Sequence, residues 1–570
     1  MRRHSSLIAG GILLSRLSGL LRDAVLAFYL GANVGADAFR AALKIPNLLQ
    51  NLLGEGVLSA SFIPTYSRLL ADDREEEAGR VAGAVLGLLL VVTGVLVVLG
   101  AVFAHPLTRL LAPGFVGDRL ELTVTLVRIM FPGIGLLVVS AWCLGVLNSH
   151  RRFFLSYVAP VLWNAGILAV LVTLGGSAVL EPAVAAGWGV VLGGGLQVAI
   201  QVPTVRRLLR GTLRPSVSTR SPETRRVLRA FGTIVLGRGA VQLSALLELV
   251  VASLLAVGAV AVLGYAQTFF LLPIALFGMS VAAAELPSLS TLAPRDHHLL
   301  SERLDAGLAR SAFFVVGTAL AYLLVGADLV EVLFGRGEFD AATSFQVAAV
   351  LGVYSLGLLP ATASRLLQSL LYALDDARTP AIVAVVRVVV TLAVAVPAML
   401  SLDQFVVDLR EPLSFRLAAD GVVPTLSPVD AALRDGGGNQ MRLGAVGLAL
   451  GSAVGSWVEY VLLRRAVSRR VVRPRLGGGT LTRLLSSVVA AAAVSVVNVQ
   501  LVPTTGALPR LVIVGGTAGV VYLGTAWVLR VPEAAALLAR IKVPPRPPRG
   551  GTGLPDDAPS PGADPGHEPG

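Results

Sequence analysis

Apolar runs of twenty or more residues recur along the chain, separated by short polar loops. By the length a helix needs to cross a bilayer, they predict about fourteen membrane spans. The approximate limits are 7–30, 37–68, 78–104, 121–148, 154–174, 183–209, 228–256, 261–290, 304–326, 343–373, 380–400, 443–466, 481–501 and 509–530. The expected fold class is therefore an all-α polytopic membrane protein. The pattern also repeats. LLAPGF ends at Phe115, with Asn148 of GVLNS 33 residues on; LFGRGEF ends at Phe339, with Tyr372 of SLLYA 33 residues on, an offset of 224. Gly31 and Gly258, and Pro46 and Pro273, are each separated by 227 residues. Spans 1–6 and 7–12 form the two copies, and an even span count gives both the same orientation. This predicts two parallel six-helix repeats about an axis along the membrane normal, plus two extra C-terminal helices.

The expected organisation is an N-terminal six-helix lobe over 1–210 and a C-terminal six-helix lobe over 211–467, with an external insertion at about 401–442. A two-helix unit over 468–535 and a Pro/Gly-rich cytoplasmic tail over 536–570 follow. The tail has too little apolar area to fold and is expected to be disordered. Glycine runs such as GGGLQ at 193–197 read as helix-packing surfaces.

Loop charge sets the orientation. Arg2/Arg3, Arg68/Arg74/Arg80, Arg151/Arg152, Arg206 through Arg229, Arg295/Arg303, Arg378 and Arg464 through Arg475 all fall on one side; the loops 31–36, 175–182 and 257–260 contain no Lys or Arg. Both termini are therefore expected in the cytoplasm. The net charge of +12 is spread over these loops, which is an insertion signal and not a nucleic-acid stripe. Lys44 and Lys542 are the two lysines, so Lys44 alone lies in the membrane body. The N-terminus begins like a signal peptide, but Arg16 interrupts its apolar core and no clean cleavage site follows, so it reads as a retained first span. Cys143, the single cysteine, lies in an apolar helix and excludes a disulfide framework or cysteine metal site. The histidines lie at span ends, in loops or in the tail, away from any midplane proton relay.

The first two spans carry the chemistry. From Ser15 to Glu55, two apolar segments contain Arg16, Arg22, Asp23, Asp37, Arg40, Lys44 and Glu55. Each charge near the bilayer centre costs about 2.5–3.5 kcal/mol to insert, so such residues face a wet chamber, pair, or hold a ligand. Arg16 lies nine residues past Leu7, about 14 Å along the helix and near the bilayer middle. Arg16 and Asp23 are seven apart and share a face, whereas Arg22 is expected to project to a different side from Asp23. Asp37, Lys44 and Glu55 also share a face, and Pro46, beside Asn47, is expected to kink the helix. A planar guanidinium donates two parallel hydrogen bonds to a phosphate without losing its proton. The surplus of cations predicts an anionic cargo. No GxxxxGK[ST] run is present, so transport is expected to run on a gradient, such as Na+, or on membrane potential, with no bound cofactor and no catalytic or metal site.

SRLSGLLRDAVLAFYLGANVGADAFRAALKIPNLLQNLLGEGVLSASFIP resembles the opening of the MurJ (MviN) family, with LAPGF, GVLNSHRRFFLSYVAP, LFGRGEFD and YALDDARTP as its later signatures; the resemblance covers about residues 5–530. The family belongs to the multidrug/oligosaccharidyl-lipid/polysaccharide exporter superfamily. The resemblance implies a lipid II flippase, moving the undecaprenyl-diphosphate-linked peptidoglycan precursor to the outer face of the bacterial inner membrane by alternating access. It implies membrane lipids and the cell-wall synthesis machinery as partners, and no enzymatic turnover. Ser15, Arg16, Arg22, Asp23 and Asp37 match its cavity positions, and Arg40, Lys44, Asn47 and Glu55 join them as candidate substrate-binding residues. The family places arginines where Gln50 and Thr268 stand here. Glu248 matches an acidic position implicated in ion coupling.

Two other readings stand beside this one. An exporter of another polyprenyl-linked saccharide or a drug antiporter belongs to the same superfamily. A membrane glycosyltransferase would need the acidic 401–442 loop, which shows no paired-carboxylate spacing.

Overall fold

The computed structural model describes residues 2–176, 180–209, 211–279, 297–408, 414–417, 429, 441–470, 478–501 and 506–542. The first lobe contains α1 (Arg2–Leu30), α2 (Val34–Leu53), α3 (Glu55–Ser61), α4 (Ile63–Ala71), α5 (Glu75–Val102), α6 (Ala104–Leu111), α7 (Gly117–Ser149), α8 (Phe153–Leu174) and α9 (Pro182–Leu208). The second contains α10 (Pro222–Ala252), α11 (Ala259–Pro273) with a π-helical turn at Ile274–Met279, α12 (His297–Phe334), α13 (Ala341–Ser355), α14 (Leu358–Ala373), α15 (Arg378–Leu402) and α16 (Gly444–Arg470). The last unit contains α17 (Gly478–Leu501), α18 (Ala507–Arg510), a π turn at Leu511–Gly515, α19 (Gly516–Val528) and α20 (Pro532–Lys542).

Among the described residues, ten helices are long and apolar enough to cross a membrane, and the bent pair α13–α14 makes eleven. The expectation of about fourteen is thus met to eleven by this measure. The helices α1, α2 and α10 lie outside the set, and each carries at least three charged residues. The expected all-α membrane class holds, and within it the 401–442 insertion carries a small antiparallel sheet in the order β2-β1-β3, from β1 (Phe405–Asp408), β2 (Ser414–Leu417) and β3 (Met441–Arg442). Its register pairs Val406 with Arg416 on one side and Arg442 on the other. Glu411, Asp420, Asp430 and Asp435 of the insertion, the tail from 543 onward and Glu285 lie outside the described residues.

Local sequence explains the breaks. At the start of α2 the Asn33 side chain accepts the Ala36 N–H at 3.0 Å, and Asp37 sits in the first turn, where a carboxylate offsets the helix dipole. Helix α2 is continuous through Pro46, where a kink was expected, and breaks instead at Gly54 (φ −89°, ψ −153°). A Cβ at residue 54 would meet the Gln50 carbonyl, so the extended turn there needs glycine. The repeat is visible in the backbone. Gly31 and Gly258 both adopt left-handed φ (55° and 90°), as do Arg151 and Asp375 (58° and 57°). Those separations, 227 and 224 residues, are the offsets of the sequence repeat.

Within the first lobe α1 packs on α8, and α7 on α2, α5 and α9; within the second α12 packs on α13 and α14, and α14 and α15 on α16. In the 193–197 run, Gly193 and Gly194 let α9 approach the backbones of Trp163 and Gly133. The pair α17–α19 rests on α12. Helix α10 behaves differently from the rest of its lobe, because it packs mainly on α2 and α3 of the first.

The buried apolar residues divide in an informative way. One core takes Leu26, Phe39, Phe115 and Ile134 from the first lobe together with Phe269, Phe334 and Tyr354 from the second. It adjoins the arginine-poor loops. Toward the basic loops the cores are separate, one around Phe62, Tyr66 and Trp142 and another around Leu300, Leu367 and Leu463. The hydrophobic effect therefore joins the lobes in one shared core at one end and keeps two cores at the other, where α10 adds Val227 and Phe231 to that of the first lobe.

Candidate functional site between the lobes

Helix α1 presents Ser18, Arg22 and Asp23 on a face shared with α8 and α11. Arg22 approaches its neighbour Asp23 with Nη2 2.9 Å and Nε 3.1 Å from Oδ1. The expectation that these two project apart is therefore corrected. Their Cβ atoms diverge, but the arginine stem is long enough to turn the guanidinium back onto the carboxylate. Its Nη1 donates to Asn164 Oδ1 at 3.1 Å, Asn164 Nδ2 donates to Ser18 Oγ at 2.8 Å, and the guanidinium lies 5.2 Å from the Trp163 ring centroid. The other oxygen of Asp23 accepts the Thr268 hydroxyl at 2.8 Å, from α11 of the second lobe. Thr268 thus stands where the family resemblance implied a cation, and it uses the position for an inter-lobe bond.

Beside this joint, Arg40 reaches from α2 to α11. Its guanidinium carbon lies 4.0 Å from the Tyr265 ring centroid and covers Gly264, where a Cβ would collide with it. Its Nη2 is buried with no hydrogen-bond partner. The Tyr265 hydroxyl donates to the Gly31 carbonyl at 3.0 Å. Lys44 and Asn47, further along α2, are half-buried; Arg16 is exposed on α1, and Ser15 is half-buried one residue before it. Among the described residues neither Arg16 nor Lys44 has an ion pair, so the Arg16–Asp23 pairing that seven-residue spacing allowed does not form. Glu55 is exposed in the first turn of α3, away from Asp37 and Lys44 in burial although it shares their face by spacing.

Asp37 departs from the group. Its side chain is fully buried and accepts Arg119 Nη2 at 2.5 Å, the Gly258 N–H at 2.7 Å and the Ala261 N–H at 2.7 Å. The carboxylate caps the N-terminus of α11, where free N–H groups favour an anion. It cannot face a cargo in this state. It is a lock between the lobes, and Arg119 Nη1 extends it to the Leu255 carbonyl at 3.4 Å. Gly114 N–H on Ser253 Oγ at 3.1 Å and Glu338 N–H on the Phe28 carbonyl at 2.9 Å join the lobes at the same end. Arg119, Trp163, Asn164 and Tyr265 are absent from the sequence expectation. Arg119 carried a weak signal, as an arginine in the first turn of a span.

Glu248 is half-buried on α10, and Gln267 Nε2 donates to it, with Tyr354 Oη 3.5 Å from the same amide. Among the described residues no group of three or more His, Cys, Asp or Glu could hold a metal ion. Arg238, also on α10, has its side chain outside the described residues. Elsewhere Glu459 accepts Arg387 Nη1 at 2.9 Å and Gln368 Nε2 at 2.8 Å, a pair contained within the second lobe. At the basic end Tyr66 Oη lies 3.0 Å from His150 Nε2, and burial holds that imidazole below its ordinary pKa.

A family model described as "Lipid II flippase MurJ" matches residues 26–416. "Lipid II flippase MurJ" of Burkholderia cenocepacia is 33% identical over 391 residues, covering 67% of this chain and 75% of the relative. "Probable lipid II flippase MurJ" of Bdellovibrio bacteriovorus is 33% identical over 399 residues, covering 69% and 76%. Among solved structures, an inward closed conformation of lipid II flippase MurJ shares the fold with a TM-score of 0.72 at 18% identity, over 93% of this chain and 99% of that one. An inward-facing multidrug resistance MATE family transporter of the MOP superfamily gives a TM-score of 0.60 at 17% identity, over 80% and 95%.

Proposed function

The chain belongs to the MurJ family of lipid II flippases, and from that premise we propose that it moves lipid II across the bacterial inner membrane by alternating access of its two lobes. The observation that carries this reading is the joint around Asp23, where a membrane-interior carboxylate binds Arg22 of its own lobe and Thr268 of the other. A diphosphate brings more negative charge than one carboxylate and competes with Asp23 for Arg22. Arg40 shares Asp23 with Arg22 and keeps a buried Nη2 without a hydrogen-bond partner, and Arg16 and Lys44, which have no ion pair among the described residues, add further cations. Binding the diphosphate therefore draws Arg22 away from Asp23 and removes the contact that orients this carboxylate toward Thr268, which links occupancy to the inter-lobe joint.

In this account the arginine-poor end faces outward and is shut by Asp37, Arg119 and the shared core, while the basic end and both termini lie in the cytoplasm. The sugar–peptide head enters between the lobes and the polyprenyl tail stays in lipid. Energy comes from the membrane potential or an ion gradient. The potential is worth about 2.3 kcal/mol per charge per 100 mV, which acts on a substrate carrying a diphosphate. Ser15, Asn47 and Glu55 are assigned to contacts with the polar head, and the cell-wall synthesis machinery receives the product. Reconstitution in liposomes tests the reading. The protein should expose lipid II to an externally added modifying enzyme, and a pure lipid vesicle should not. Equal exposure in both would refute it.

A further inference from the structure

The segment joining the lobes lies in a groove on the first one. Gly79, Gly83 and Gly87 recur every fourth residue on α5 and so form one stripe along it. A Cβ at these positions would meet, in turn, Thr212, Arg214 and Ser216. Alternate residues of an extended segment therefore match successive turns of a helix, and the Ser216 N–H donates to the Gly83 carbonyl at 3.2 Å. Gly94, on the same helix but past the segment, has open space around it. At the exit of the segment Arg74 binds Glu77 at 2.5 Å and lies 3.8 Å from Glu223 in the first turn of α10. Asn51 Nδ2 donates to Gln242 Oε1 at 2.9 Å further along the same helix. These contacts place α10, second-lobe by sequence, on α2 and α3 of the first lobe.

We propose that residues 211–220 are a strap whose docking in the α5 glycine groove holds α10 on the first lobe while the arginine-poor end is shut, and whose release accompanies opening of that end. The coupling is mechanical. The strap is the covalent path between the lobes, so any rotation of the second lobe that carries α10 with it must pull residues 212–216 off α5. Beyond the groove the segment is held by Leu213, which packs against the core around Phe62 and Tyr66, and by the Thr219 carbonyl, which accepts Arg225 Nε of α10 at 2.9 Å; glycine is what lets its backbone approach the helix. The inference rests on the two-lobed movement proposed above, but not on the cargo.

Maleimide labelling of full-length protein in nanodiscs tests it, with Cys143→Ala removing the native cysteine. Ser216→Cys, half-buried in the groove, should label slowly, and the exposed Ser218→Cys quickly. Adding Gly83→Val, or the milder Gly83→Ala, should raise the Ser216→Cys rate by about tenfold or more, the factor that 1.4 kcal/mol represents. Gly94→Val should leave it unchanged. Asp37→Asn, which weakens the distant lock, should raise it too. An unchanged rate in both Gly83 variants would overturn the docking. A rise with Gly83→Ala and none with Asp37→Asn would show static packing and overturn the coupling. Failure of lipid II exposure in liposomes with the labelling pattern intact would remove the cargo assignment and leave the strap.

Discussion

Thr268 donates its hydroxyl to Asp23 at 2.8 Å, and this bond crosses the membrane interior from one lobe to the other. A hydrogen bond to a charged group contributes about 1.5–3 kcal/mol. Thr268→Val keeps the shape and removes the donor, so the equilibrium between closed and open lobes should move toward opening by about tenfold or more. Thr268→Ser should stay near wild type. Distances between spin labels on the two lobes read the shift, and equal distributions in Val and Ser variants would show that the bond does not hold the lobes.

The buried Asp37–Arg119 pair predicts non-additive stabilities. Removing one partner of a buried ion pair costs about 3–5 kcal/mol because the other charge is stranded. Arg119→Met leaves Asp37 with only its two backbone donors, and Asp37→Ala leaves Arg119 without its carboxylate. Each single variant should melt well below wild type. The double variant strands no charge and should lose clearly less than the sum of the two. A melting series in which the losses simply add would contradict the lock.

Asp376, in the loop between α14 and α15, supplies a pH signature outside the membrane. The Thr379 side chain and its N–H, 3.0 Å away, hold this carboxyl below the usual range, with Arg470 Nη1 at 2.6 Å adding to the effect. A depressed folded pKa gives stability that is present above the unfolded value of about 3.9 and is lost as pH falls through the lower folded value. The melting temperature of wild type should therefore exceed that of Asp376→Asn at neutral pH, and the gap should close under acid. A gap that does not shrink at all as the pH is lowered below the unfolded value would refute the assignment.

Much of this was legible in the sequence, and the limits have physical causes. The apolar runs, the repeat offsets and the concentration of charge in the first two spans depend on period and composition. The left-handed Gly31 and Gly258 confirm the offset of 227. Pairings between distant residues were not legible. Asp37 finds Arg119, Gly258 and Ala261 only after three helices meet, and no spacing rule connects positions 37 and 258. Arg22 and Asp23 misled for the opposite reason. The rule for adjacent helical positions describes Cβ directions, and a long guanidinium overrides it. Gln50 and Thr268 looked like missing cations; at Thr268, a hydroxyl on Asp23 and the neighbouring Arg40 on Tyr265 supply the inter-lobe contacts instead.

The central claim is that the interior cations of the first two spans hold the diphosphate of lipid II. Lipid II binding to purified wild-type, Arg16→Ala and Arg40→Ala protein, each checked for an unchanged melting temperature, tests it most directly. The account predicts that each substitution weakens binding by about tenfold or more, since a charge-assisted hydrogen bond to phosphate is worth more than 1.4 kcal/mol. Affinity equal to wild type in both folded variants would contradict it.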